Sequence, residues 1–211
     1  HTSWATHGVP NDVNSHPHLS NSGKIAIVHN GIIENYASIK QNLIKEGFTF
    51  HSDTDTEVLV NFIEYFKQKE QTDLATAVRY ALNEVVGAFA IAVMEEANPQ
   101  EIVVARLGSP LVIGVGTDEF FIASDASPFI EYTQNAVYLE DGEMATIRLN
   151  EPLKVIKIGS NEAVSPFVQQ LKLNLDAIEK GGYEHFMLKE IFEQPLSIQD
   201  TMRGRLLEDG T

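Results

Sequence analysis

The chain has 211 residues, enough for one large domain or two small ones with a sizeable buried core. Its 43% hydrophobic and 21% charged residues are ordinary for a globular protein, and no apolar run is long enough to cross a bilayer. With 30 acidic against 15 basic residues the net charge is −15, which disfavours nucleic acid and anionic membranes as partners. There is no cysteine, so these residues contain no disulfide, thiolate metal site or cysteine nucleophile, a composition that fits the cytoplasm.

The first 23 residues are rich in His, Asn, Ser, Thr and Gly, with Pro10 and Pro17, and read as irregular. The apolar residues Ile25 to Val28 then predict a short buried strand over Lys24–His29 that stops at His29-Asn30-Gly31. An Asn-Gly turn is one reading of that stop. The other is chemical: the Asn30 amide and the Gly31 N–H are two neutral donors of the kind that stabilise a developing oxyanion in acyl transfer.

Asn35 is placed to cap a helix running to about Glu46, with Tyr36, Ile39, Leu43 and Ile44 on one face and Gly47 as its stop. A short strand is expected at Phe48–Phe50. Thr54 to Glu57 has capping-box spacing, and Val58, Leu59, Phe62, Ile63 and Phe66 give the next helix a broad apolar face. Thr72-Asp73 caps a third helix whose apolar residues, from Leu74 to Val85, repeat every 3.6 residues. Beyond Gly87 the period changes. Ala88–Met94, Ile102–Ala105, Leu111–Val115, Phe120–Ala123, Ala136–Leu139, Met144–Ile147 and Val155–Ile158 read as strands of an antiparallel meander. Tyr183 to about Leu207 reads as a helix interrupted at Pro195. Grouped helices and grouped strands predict an α+β fold.

Five of the seven histidines fall within the first 29 residues, but His16-Pro17-His18 has no metal-ligand spacing. Structural or substrate-shaping histidines explain the cluster better than a metal. Trp4 is either a core residue or the wall of a small-molecule site. Asp55 in the first turn of its helix suits the macrodipole, and it suits a substrate ammonium group equally well. No Gly-x-Ser-x-Gly elbow, P-loop or dinucleotide-binding turn occurs. Thr2 becomes an N-terminal nucleophile only if His1 is removed.

Several segments, in order, carry a resemblance. They are His1-Thr2-Ser3-Trp4-Ala5-Thr6-His7-Gly8, Asn14-Ser15-His16-Pro17-His18, His29 to Asn35, and Ser52-Asp53-Thr54-Asp55-Thr56-Glu57. Gly108 to Gly114, Phe121 to Asp125, and Met187-Leu188-Lys189-Glu190-Ile191-Phe192-Glu193-Gln194-Pro195 continue the series. Nearly end to end the chain resembles the glutaminase domains, of class II glutamine amidotransferase type, of the glutamine–fructose-6-phosphate aminotransferases (glucosamine-6-phosphate synthases).

The resemblance implies an N-terminal-nucleophile hydrolase fold, an αββα sandwich of two antiparallel sheets. It implies that a first-residue cysteine attacks the amide of glutamine, releasing glutamate, and that ammonia passes to a sugar-isomerase domain acting on fructose 6-phosphate. By motif match Asn30 and the Gly31 N–H form the oxyanion hole, and Asp55 holds the substrate ammonium. Thr6 and His7 line the glutamine site, and Trp4 lies near the ammonia exit. No cofactor is implied, and a homo-oligomer is expected of the full-length protein.

The chain departs from the family pattern in two places. The segment with the cysteine and the first strands is not among these residues, which leaves an expectation of exposed sheet edges, poor folding alone and no activity as drawn. Ser3 stands where the family has the arginine that pairs with the substrate carboxylate, offering one neutral hydrogen bond in place of a charged fork. Residues 1–195 are expected to form the glutaminase domain and 196–211 the start of a linker to an absent isomerase domain. The alternative is an inactive amino-acid-binding regulatory module derived from that domain.

Overall fold

Three amphipathic helices precede the strand-rich half of the chain and cover one face of a sheet. In this computed structural model, which describes residues 7–171 and 182–202, they are α1 (Tyr36–Lys45), α2 (Asp55–Glu70) and α3 (Leu74–Glu84). The chain divides into two compact units, His1–Leu171 and Lys172–Thr211. The α2 and α3 starts obey the predicted chemistry: Thr54 Oγ1 accepts the Glu57 N–H at 3.2 Å, and Asp73 Oδ1 accepts the Thr76 N–H at 2.7 Å.

The strands are β1 (His18–Leu19), β2 (Ile25–Ile33), β3 (Gly87–Glu95), β4 (Asn98–Leu107), β5 (Val112–Val115), β6 (Phe120–Ala123), β7 (Asn135–Tyr138), β8 (Glu143–Arg148), β9 (Lys154–Lys157), β10 (Ala163–Val164) and β11 (Gln169–Gln170). They form a seven-stranded sheet, β1-β2-β3-β4-β8-β9-β10, and a four-stranded sheet, β11-β7-β5-β6. All pairings between these strands are antiparallel. This is the expected α+β class with paired antiparallel sheets.

Strand alternation assigns each side chain to one of two cores. Ile25, Ile27, Ile33, Phe89, Ile91, Val93, Val103 and Met144 face the helices, where they meet Leu43, Leu59, Ile63, Ala77 and Val78. Ala90, Val104, Ala145 and Ile147 face the other way and pack against Leu111, Ile113, Val137 and Leu139 of the small sheet. On the far face of that sheet Phe121 stacks on Phe129 and Tyr132, at centroid distances of 5.9 and 5.4 Å.

Five local expectations are corrected. First, no turn ends the strand at His29-Asn30-Gly31. β2 runs through to Ile33, with Asn30 opposite Ala90 and Gly31 opposite Phe89. It continues because Gly31, at φ 137°, lets β3 come so close that a Cβ there would sit 2.1 Å from the Ala88 carbonyl oxygen. Gly87 on β3 does the same in return, at φ 134°, with the Ile32 carbonyl oxygen 2.1 Å from the position of a Cβ. Second, Asn35 occupies the α1 N-cap position but makes no side-chain cap bond. Its amide instead donates to the Glu84 carbonyl at 2.8 Å and accepts the Val86 N–H at 3.0 Å, stapling the α3–β3 connection.

Third, Phe48–Phe50 forms no strand. With no strand beside them, Phe48 and Phe50 pack on the helical core instead. Fourth, the capping box is half made: the Glu57 carboxylate turns to the His51 and Ser52 N–H groups (2.8 and 2.7 Å). Fifth, in the second unit α4 (Phe186–Met202) passes through Pro195 without interruption, because a proline removes one backbone bond and neighbouring turns still carry the helix. No helix among the described residues is long and apolar enough to cross a membrane.

Two stability tests follow from these contacts. Gly87→Ala should destabilise by at least about 1–3 kcal/mol from backbone strain and further from the clash with the Ile32 carbonyl oxygen, more than Gly23→Ala, which is strained at φ 73° but whose Cβ would meet open space. Urea unfolding of both variants checks the ordering. Asn35→Ala should cost about 1–3 kcal/mol, and Asn35→Ser should not recover it although serine is a good N-cap. Recovery by serine would mean that capping, not stapling, is the role of Asn35.

Candidate active site

The first turn of α2 gathers the polar residues. Asp55 is buried there, at 3% exposure, with Oδ2 accepting the Ile33 N–H at 2.8 Å and Oδ1 standing 3.6 Å from His7 Nδ1. His7 also lies edge-on to Tyr36, at a centroid distance of 4.8 Å. The helix N-terminus favours a carboxylate at this position, and one of its oxygens faces a side chain rather than a backbone donor.

Thr56 and Thr54 then join three histidines. Thr56 Oγ1 is 3.0 Å from His29 Nδ1 and 3.3 Å from His16 Nε2, and Thr54 Oγ1 is 3.1 Å from His18 Nε2. His16 and His18 meet edge to face, with ring centroids 5.1 Å apart. Burial pushes the His16 pKa down to about 4, helped by His18 and His29. Burial also lowers that of His18, against the pull of Glu57 and Asp55. His29 is lowered by burial as well, while the Asp55 charge and the nearby Ala88 carbonyl pull the other way. The rings are therefore neutral hydrogen-bonding groups at pH 7.

The segment before β2, read as irregular from the sequence but holding the short β1, is tied to α2 and to the turn that leads into it. Asn14 Oδ1 accepts the Asp53 N–H at 3.0 Å, and Asn61 Oδ1 accepts the Asn21 N–H at 2.7 Å. The Glu64 carboxylate takes the Ser20 hydroxyl and the Ser22 N–H, each at 3.1 Å, and also the Ser22 hydroxyl. Asn30 lies on the other side of the large sheet, lining a cavity of about 380 Å³ with Ala90, Leu111, Ile122, Ser124 and Asp125. Asp125 accepts the Ser127 hydroxyl and its N–H, the latter at 2.8 Å, and these bonds hold its carboxyl below the usual range.

Of the residues singled out from the sequence, the structure joins His7 to Asp55 and ties Asp55 to the strand that carries Asn30 and Gly31. Ser3, Trp4 and Thr6 lie outside the described residues. The histidines were expected as structural or substrate-shaping groups, but the meeting of His29 and His16 on Thr56 and the cavity shared by Asn30, Ser124 and Asp125 were not, although all of these stand inside motifs quoted above. Their spacing in sequence carried no signal that they converge. Among the described residues no three His, Asp or Glu side chains are grouped to hold a metal.

The depressed histidines set a sign for pH dependence. Neutral when folded and free to protonate near 6.5 when unfolded, they take up protons on unfolding below that pH. For His16 the folded state is unpenalised above pH 6.5 and loses stability as pH falls toward about 4, and His18 and His29 act in the same direction. Urea midpoints should therefore drop across that window, and His16→Gln should flatten the slope.

The site now has a buried carboxylate, neutral histidines and a strand bearing an amide beside a cavity. A family model described as "Glutamine amidotransferase domain" matches residues 3–131. The glutamine–fructose-6-phosphate aminotransferase (isomerizing) of Bacteroides thetaiotaomicron is 58% identical over 206 residues, covering 98% of this chain and 33% of the relative. That of Chlorobaculum tepidum is 54% identical over 212 residues, covering 100% of this chain and 34% of the relative. The chain thus spans about a third of the length of these relatives.

Among solved structures, the glutamine phosphoribosylpyrophosphate amidotransferase of B. subtilis, complexed with ADP and GMP, aligns with a TM-score of 0.63 at 28% identity, covering 76% of this chain and 34% of that one. A second, described as the allosteric regulatory enzyme of purine biosynthesis, aligns with a TM-score of 0.58 at 30% identity, covering 70% and 32%. Motif order, paired antiparallel sheets and these matches agree, and the chain belongs to the glutamine amidotransferase domain family.

Proposed function

We propose that this chain is the glutaminase portion of an enzyme that makes glucosamine 6-phosphate from fructose 6-phosphate and glutamine. It would hydrolyse glutamine to glutamate and supply the ammonia. The observation that carries the reading is the tie between Asp55 and β2: the carboxylate beside His7 bonds the backbone of the strand that presents Asn30 and Gly31. In this reading Asp55 holds the α-ammonium of glutamine, with His7 and Thr6 lining the site. Asn30 and the Gly31 N–H receive the negative charge that develops on the amide oxygen as a nucleophile adds to its carbon. Trp4 stands near the path of the departing ammonia.

These 211 residues contain no cysteine, so in this reading the attacking thiolate is not one of them. Residues 1–195 form the glutaminase domain and 196–211 begin the connection to a sugar-isomerase domain. Glutamine is the partner in this site, and fructose 6-phosphate the partner of the other domain in a homo-oligomeric whole. Ser3, at the position of the family's arginine, is the observation behind a second reading, an amino-acid-binding regulatory module without turnover.

Glutamate release from glutamine by the full-length protein separates the two readings. With turnover, Asn30→Ala should lower kcat roughly 100- to 1000-fold. An Asn30→Ala variant as fast as the parent would refute the oxyanion role. Ser3→Arg should tighten glutamine binding by about 1.5–3 kcal/mol, measurable by calorimetry, and equal affinities would remove Ser3 from the site.

A further inference from the structure

Two adjacent side chains at the start of α2 take hold of β2 on either side of Asn30-Gly31. Thr56 Oγ1 meets His29 Nδ1 at 3.0 Å, one residue before Asn30, and Asp55 Oδ2 accepts the Ile33 N–H at 2.8 Å, two residues after Gly31. The stretch between them contains Gly31 at φ 137°, backbone that a glycine adopts and also leaves easily. Its direction must be held from outside, and β3 closes only one side of it.

His29 is 3% exposed, and its Nε2 is buried without a hydrogen-bond partner among the described residues. Thr56 is thus the side chain that anchors it, with the Ala88 carbonyl nearby. A threonine hydroxyl has one proton and two lone pairs, so between two neutral rings it can donate to one and accept from the other. Such a clamp carries no net charge. It acts on the reaction by placement rather than by stabilising charge itself.

We propose that Thr56 is a positioning residue for amide hydrolysis: through His29 it sets the Asn30 amide and Gly31 N–H, while Asp55 beside it sets the substrate ammonium. One helical turn thereby fixes the distance between the two ends of the site. The proposal rests on the glutaminase reading above and adds to it the group that aligns the oxyanion hole.

The test is made in the full-length protein by steady-state glutamate release from glutamine. Thr56→Val keeps the shape and removes the hydroxyl. It should lower kcat roughly 10- to 100-fold and leave KM within about twofold, because the ammonium anchor is untouched. Thr56→Ser, which restores the hydroxyl, should recover most of the rate. A second pair covers the case in which Thr56→Val does not fold. His29→Asn puts an amide near the place of Nδ1 and should retain more kcat than His29→Gln, whose amide reaches farther out.

A rise in KM at constant kcat, a serine variant no better than valine, or a glutamine variant equal to the asparagine one would overturn the proposal. Absence of turnover in the unsubstituted protein would overturn the functional reading, and the clamp with it. Normal turnover with an unaffected Thr56→Val overturns the clamp alone.

Discussion

The buried polar side chains of α2 are the constraint on which the rest of this unit depends. Asp55, Glu57, Asn61 and Glu64 are all under 7% exposed, and each bonds backbone or side-chain groups elsewhere in the chain. A carboxylate taken out of water costs several kcal/mol unless its lone pairs are met, so these groups hold their partners firmly. The partners are irregular: the loops around Ser20–Ser22 and His51–Ser52, and the end of β2. At 3.6 residues per turn Glu57, Asn61 and Glu64 share one side of α2, while Asp55 lies on the other with Val58, Leu59 and Ile63, which enter the core. One helix thus joins the apolar interior to segments with no regular structure of their own.

That arrangement explains the electrostatics of the site. Asp55 and Glu57 each satisfy backbone donors at the positive end of a helix, so both stay compatible with burial. The histidines around them lose charge through burial, and Thr54 and Thr56 supply neutral partners in place of salt bridges. A site built this way keeps one carboxylate oxygen, Asp55 Oδ1, directed at a ring rather than at backbone.

Much of this was legible in the sequence because it is local. The α2 and α3 caps and the strands of the second half follow from spacing within a few residues. Asn35 and Gly31 misled for one common reason. The bonds of Asn35 go to Glu84 and Val86, about fifty residues away, and Gly31 is glycine because β3 approaches it. A cap residue with no cap bond and a glycine with no turn look the same as their ordinary counterparts until the distant partner is known. Pro195 misled in the opposite direction, since a helix can lose one bond and continue.

By itself the sequence determined the class of fold and the motifs that mark the family. These depend on periodicity and on order along the chain, which need no third dimension. Only the tertiary structure decided which polar groups meet. It brings Thr56 to His29 and His16 and Asp55 to Ile33, and it places Asn30, Ser124 and Asp125 in the lining of one cavity. Hydrogen bonds act over about 3 Å, and residues twenty to forty positions apart come that close only when helix packing and strand register place them there.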